Sequence, residues 1–184
     1  FNDTATTEIY TLSLHDALPI CANDLSVAEY VISSSLSLLR AAYSSSARVA
    51  AGEWPRTELM GRELSGKQLG LIGFGSIARN TAEKASALGM QITAFDPFLP
   101  DNHDAWQLAE KLSLEQLLEG ADVISLHIPL TDDTRHIINA AALATMKPGA
   151  ILINAARGGT VDETALVESL KSGRLGGAAL DVFE

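Results

Sequence analysis

The chain is predicted to form a doubly wound α/β domain on a parallel sheet, and three observations point there. From Lys67 onward, short apolar runs alternate with segments of helical spacing. Runs such as Ala150-Ile-Leu-Ile are apolar throughout rather than at every second residue, the pattern of strands covered on both faces. The first run passes into the first helical segment through Gly73-Phe-Gly75-Ser-Ile-Ala78, a junction of small residues suited to a tight strand-to-helix turn.

The elements follow in chain order. Asn2 to Ile20 reads codon for codon as a translated short-read sequencing adapter, so residues 1–20 are treated as extraneous and carry no fold expectation. On this reading the native start is missing, and the stop at Asp181-Val-Phe-Glu184 leaves the domain truncated at both ends. A long helix is expected next, within 21–52. Asn23 or Asp24 can cap it, and Val27, Tyr30, Val31, Leu36, Leu38 and Leu39 recur at helical spacing, with the pattern extending to about Val49. Gly52-Glu-Trp54-Pro is a turn. The core, 67–184, has expected strands at Gln68–Ile72, Gln91–Phe95, Asp122–Leu126, Ala150–Asn154 and Gly176–Asp181. Helices are expected near Ile77–Leu88, Leu114–Leu118, Ala140–Thr145 and Glu163–Ser172. Residues 21–184 suffice for one domain with a sizeable core.

Composition narrows the function. The formal charge is −10, and about −7 once the adapter acids Asp3, Glu8 and Asp16 are set aside. An acidic chain without a Lys/Arg cluster argues against nucleic acid and anionic membranes as partners. The apolar stretches fall well short of the roughly 18–20 residues of a membrane span. A single cysteine, Cys21, excludes an internal disulfide and a cysteine-based metal cluster, and no metal-ligand spacing occurs elsewhere. The expected compartment is a reducing cytoplasm.

The glycine junction carries the chemistry. Gly73 permits the tight turn, Gly75 lets the backbone approach a pyrophosphate, and Ala78 is small enough for close helix–strand packing. The helix that opens here aims unpaired N–H groups and a partial positive charge at phosphates. Asp96 ends the next apolar run, 21 residues after Gly75. There it can accept hydrogen bonds from both hydroxyls of an adenosine ribose, and it would repel a 2′-phosphate. Strand, glycine turn, helix and scheduled acid together predict a Rossmann-like site for NAD rather than NADP.

Four patches resemble the D-isomer-specific 2-hydroxyacid dehydrogenases, the group that includes phosphoglycerate dehydrogenase. They are Ser26-Val-Ala-Glu29, the glycine loop with Asp96, Leu126-His-Ile-Pro-Leu-Thr131, and Met146 through Asn154-Ala-Ala-Arg157-Gly-Gly-Thr-Val-Asp162 on to Gly177-Ala-Ala-Leu-Asp181-Val-Phe. The resemblance implies the NAD-binding domain of such an enzyme, with its substrate domain missing. It places Ser76 and Ile77 at the pyrophosphate, Asp96 at the ribose, Ile128 and Pro129 beside adenosine, and Ala155, Ala156 and Asp181 on the nicotinamide side. It assigns Arg157 to the carboxylate and 2-oxygen of a small 2-oxo or 2-hydroxy acid. Position supports that assignment independently, because Arg157 follows a buried run at the edge where open α/β sheets bind ligands. Its guanidinium suits paired bonds to a planar 2-oxo acid.

In the resembling family a Glu about 29 residues beyond the arginine orients a His still further on, which acts as the acid–base, and both positions fall past Glu184. Glu184 is two residues early and is not that Glu. Among the histidines, His15 is adapter, His103 sits in a polar loop, His136 belongs to the surface, and His127 at a strand tip has a packing or hydrogen-bonding role. Cys21 is inert, and Asp132-Asp133 is a solvated turn. Phosphoglycerate, glyoxylate, hydroxypyruvate and sulfolactate-type substrates all fit the resemblance. The alternative is an NAD-sensing binding protein or corepressor on the same fold; a methyltransferase-like domain would have no use for Asn154–Arg157. The resemblance also implies a homodimer through the leading helix, whose apolar residues spread around the wheel; the missing domain is the other possible cover.

Overall fold

The computed structural model describes residues 23–41, 46–54, 56 and 60–184. The adapter-like segment, His15 and Cys21 lie outside the described residues. Six parallel strands form one sheet in the order β3-β2-β1-β4-β5-β6: β1 Gln68–Ile72, β2 Gln91–Phe95, β3 Glu110–Lys111, β4 Val123–Leu126, β5 Ile151–Asn154 and β6 Gly177–Leu180. This is the order of dinucleotide-binding sheets, and it reverses between β1 and β4. The helices are α1 Asp24–Arg40, α2 Ser46–Ala50, α3 Ser76–Ala87, α4 Leu114–Gly120, α5 Ala140–Thr145 and α6 Glu163–Lys171.

Continuous apolar strands give two cores, one on each face. Leu69, Leu71, Val123, Ile151 and Ile153 face α1 and α3. Ile72, Ile124, Leu126 and Leu152 face α4, α5 and α6 together with Leu117, Leu143 and Leu166. Alternate residues of one strand thus serve opposite cores, which is why no polar alternation was visible in the sequence. At Gly70 an added Cβ would stand 2.6 Å from a Leu117 methyl, so the absence of a side chain is what lets α4 seat on β1.

The expected strands and core helices fall within a residue or two of their observed ends. The leading helix differs. It stops at Arg40, and Ala41 turns into the left-handed region at φ 50°, rather than running on to Val49; residues 46–50 form a separate short helix. The cause is a chain crossing. Arg62 N–H bonds the Leu39 carbonyl at 2.7 Å, and Gly61 lies so close that a Cβ would be 2.4 Å from the Arg40 carbonyl oxygen. Strand β3 and a 3₁₀ turn at Asp104–Leu108 were not expected. Both β3 residues are polar and exposed, so no apolar run marked them. Among the described residues no helix is long and apolar enough to cross a membrane.

Candidate cofactor and substrate site

β1 delivers the glycine loop to the carboxyl edge of the sheet, beside the reversal point. Gly73 has φ +87°, and a Cβ there would stand 2.5 Å from the His127 carbonyl oxygen. Only glycine both adopts that turn and lets the chain after β4 pass so closely. Gly75 is different: its φ is −74°, and beyond its two chain neighbours a Cβ there would meet no atom of the described residues within 4 Å. The space beside Gly75 is therefore available to a ligand. Ala78 is buried against the sheet face, as close helix–strand packing requires.

Asp96 closes the loop from the β2 side. Its Oδ2 accepts from Phe74 N–H at 2.8 Å, and its Oδ1 accepts from Phe98 N–H at 2.9 Å and Leu99 N–H at 3.2 Å. A carboxylate has about four acceptor sites, so roughly one is left for a ribose hydroxyl. Asp96 thus also fastens the glycine loop, a role that the sequence did not show. Phe74 itself is buried and stacks on Trp106 at 5.3 Å between ring centroids.

Ser76, Ile77, Ile128, Pro129, Ala155, Ala156, Arg157 and Asp181 line a single cleft of about 560 Å³. Gly73, Gly75 and Asp96 frame it from the glycine-loop side without lining it. The cleft has a further wall that the sequence reading did not assign. Asn23, Asp24 and Val27 at the head of α1 line it too, together with His127 and Val182. The Ser26-Val-Ala-Glu29 patch marked this helix head, but nothing in the pattern said that it reached the cleft.

Arg157 sits on a loop pinned from within. The buried Asn154 at the end of β5 donates from Nδ2 to the Arg157 carbonyl at 3.0 Å and to Thr160 Oγ1 at 3.1 Å. Its Oδ1 accepts from Ala156 N–H at 3.1 Å, and Thr160 Oγ1 donates to the Arg157 carbonyl at 2.8 Å. The loop is rigid where the side chain begins, while the guanidinium is exposed and donates from Nη1 to the Ala156 carbonyl at 2.6 Å. Most of its five donors face no acceptor among the described residues. Asp181, just past β6, continues the ladder by donating its N–H to the Asn154 carbonyl at 2.9 Å.

His127 is a structural histidine of the cleft wall. Its Nε2 lies 3.0 Å from the hydroxyl of buried Ser125, and its backbone N–H donates to the Ile72 carbonyl at 2.7 Å. The residue as a whole is half-buried, but protein crowds the ring, and this desolvation pushes its pKa down to about 4. His103 Nδ1 accepts from Ala105 N–H at 3.0 Å to start the 3₁₀ turn. The half-exposed side chain of His136 bonds Glu184 at 3.1 Å. That hydrogen bond, with the charges of His136 and Arg135 behind it, holds the Glu184 carboxyl below its ordinary range. Asp132 and Asp133 are exposed in a turn. Among the described residues no group of three His, Cys, Asp or Glu is placed to hold a metal ion.

The cleft has a helix N-terminus at Ser76 and a volume within the usual range for ligand sites, and beside it lie the open space at Gly75 and the acid at the β2 tip. Residues 32–184 match the family model for the D-isomer specific 2-hydroxyacid dehydrogenase NAD binding domain. The chain is 58% identical over 163 residues to an (S)-sulfolactate dehydrogenase of Chromohalobacter salexigens, covering 88% of this chain and 53% of that protein. It is 46% identical over 159 residues to a hydroxypyruvate reductase of Thermotoga maritima, covering 86% and 51%. A D-lactate dehydrogenase of Aquifex aeolicus, solved with NAD and lactic acid, superposes with a TM-score of 0.81 at 34% identity over 90% of this chain and 49% of that one. The chain thus spans about half the length of these relatives. Its sheet order, its glycine loop with Asp96, and its match over most of its length place it in the D-isomer-specific 2-hydroxyacid dehydrogenase family, as an NAD-binding domain of that family.

Proposed function

We propose that this chain is the cofactor-holding part of a dehydrogenase that moves hydride between NAD and the C2 position of a short 2-oxo or 2-hydroxy acid. One observation carries the proposal: the cleft that begins at the N-terminus of α3 also contains Arg157. A phosphate-binding end and an oxoacid-binding cation therefore share one space. NAD, when bound, supplies or takes the hydride. The chain's residues position and polarise. Gly75, Ser76 and Ile77 hold the pyrophosphate, and Asp96 takes a ribose hydroxyl. Ile128 and Pro129 flank adenosine, while Ala155, Ala156 and Asp181 flank nicotinamide. Arg157 binds the carboxylate in a paired arrangement and draws electron density from the 2-oxygen, favouring hydride arrival at C2.

Residues 21–184 act as one domain, and the acid–base residues belong to another part of the complete protein. Sulfolactate-type and hydroxypyruvate-type acids are the first substrates to test, given the names of the relatives above. A homodimer and a cytoplasmic setting complete the proposal.

Titration of the chain with NADH, followed by calorimetry or by quenching of tryptophan fluorescence, tests the cofactor half. Saturable binding below 1 mM, roughly the upper end of ordinary enzyme–ligand affinities, is expected, and absence of binding by the folded chain at that concentration would overturn it. For the substrate half, Arg157→Gln is expected to leave NADH affinity within about twofold while abolishing uptake of oxamate by the NADH-loaded chain. Oxamate uptake that survives the substitution would remove Arg157 from the site.

A further inference from the structure

Resting on the NAD reading of the cleft, the geometry points to one more contact residue: we propose that Asp24, at the head of α1, is a hydrogen-bond acceptor for the nicotinamide riboside half of the bound dinucleotide.

Asp24 is only 6% exposed, yet its Oδ2 is buried without a hydrogen-bond partner among the described residues. A buried carboxylate oxygen left unpaired is costly, and folded proteins seldom tolerate one without a use for it. It does not cap the helix, since it has no hydrogen-bond partner among the described residues, and the N-cap residue Asn23 makes no side-chain cap bond either. Asp24 instead lines the cleft that holds Ser76, Ala155 and Arg157. An acceptor in that position calls for an N–H or O–H donor from the ligand.

The fold says which half of the ligand meets it. α1 packs on α3, β5 and β6. At its far end it meets Gly61 and Arg62, and Arg62 donates to the Gly149 carbonyl just before β5. The helix therefore runs antiparallel to the strands, and its N-terminus arrives at their carboxyl edge, above β5 and β6. Asp96 and the adenosine end lie on the opposite side of the reversal point, at β2. The donors on offer above β5 and β6 are the ribose hydroxyls and the carboxamide N–H₂ of nicotinamide riboside. Asp24 also stands in the first turn of a 17-residue helix, whose positive end favours an acidic group and keeps it in place.

The test compares ligands on the chain itself. Asp24→Ala is expected to weaken NADH about tenfold and to leave ADP within twofold, because ADP lacks the nicotinamide riboside. ADP-ribose then separates the two donors: a matching loss assigns the ribose hydroxyls, and an unchanged affinity assigns the carboxamide. Asp24→Asn, which keeps shape and one acceptor, is expected to recover part of the NADH affinity. Thermal unfolding without ligand accompanies each variant. Equal weakening of ADP and NADH together with a lowered melting temperature would reassign Asp24 to holding the helix head, and unchanged NADH affinity would overturn the proposal. In either case the parent's own NADH binding would leave the NAD reading standing, whereas a parent that binds no NADH would fail that reading itself.

Discussion

Asp96 does two jobs through one carboxylate. Its bond to Phe74 N–H fixes the glycine loop, and its bonds to Phe98 and Leu99 N–H shape the turn after β2. Each charge-assisted bond is worth about 1.5–3 kcal/mol. Asp96→Ala is therefore expected to lower stability by about 2 kcal/mol or more as well as to weaken NADH and narrow its advantage over NADPH. Denaturant titration and paired NADH/NADPH binding would check both effects; unaltered values would make Asp96 an ordinary surface acid. His127 supplies a pH effect of definite sign. Its folded-state pKa is about 4 against an ordinary 6.5. Between those values the unfolded chain takes up a proton that the folded chain refuses, so stability falls as pH drops through that window. The loss from pH 7 to 5 is about 2 kcal/mol. His127→Gln should flatten this part of the pH–stability curve, and a variant whose curve parallels the parent's would show that His127 titrates freely. The spacing of Gly75 and Asp96 was legible in the sequence, because motif distances follow from the strand–turn–helix path. The partners that occupy Asp96 were not, because they are backbone N–H groups present at every residue.

At the scale of elements, the glycine loop separates folding from binding. Gly73 and Gly75 look alike in sequence, but one is wedged against the chain after β4 and the other faces open space. Gly73→Ala meets both a positive φ and a 2.5 Å approach to the His127 carbonyl oxygen, so it is expected to destabilise by about 2–4 kcal/mol. Gly75→Ala should leave stability within about 0.5 kcal/mol and weaken NADH at least tenfold, since its methyl enters the space read as the pyrophosphate position. Melting curves and NADH titrations on the two variants would reveal the contrast, and a Gly75→Ala protein with parental affinity would place the pyrophosphate elsewhere. The same distinction explains what could be read in advance. β1, β2, β4 and β5 are bounded apolar runs, and their helices carry caps such as Asn139 and Asp162 in sequence. β3 is held by pairing with β2 rather than by burial of its own side chains, so Glu110 and Lys111 gave no sign. The end of α1 was hidden for a related reason. It is set by Gly61 and Arg62, about twenty residues downstream, and local periodicity contains no record of that crossing.

For the whole molecule, the question is what covers α1. Its apolar residues spread around the helix in sequence, but the fold already uses most of them. Val31 and Leu39 are buried in the core, Ile32 and Leu38 pack against it, and Val27 lines the cleft. The surplus is smaller than the helical wheel suggests: Leu25 at 56% exposed and Leu36 at 39%. Two leucines eleven positions apart, three helical turns, fall on one side of the helix and can form the centre of a self-complementary contact about a twofold axis. They leave only a narrow stripe, so much of any stable subunit interface must come from neighbouring segments. Met60, which precedes Gly61 at the crossing with α1, is largely exposed apolar surface of that kind. Sedimentation of the chain at tens of micromolar is expected to show a dimer. Leu36→Glu should convert it to monomer without lowering NADH affinity, because Leu36 lies three turns down the helix from Asp24 and outside the cleft lining. A parent that sediments as a monomer would instead assign this face to the remainder of the complete protein. A dimer that survives Leu36→Glu would place the interface on another surface, with Leu25 and Leu36 as isolated exposed leucines of the ordinary kind.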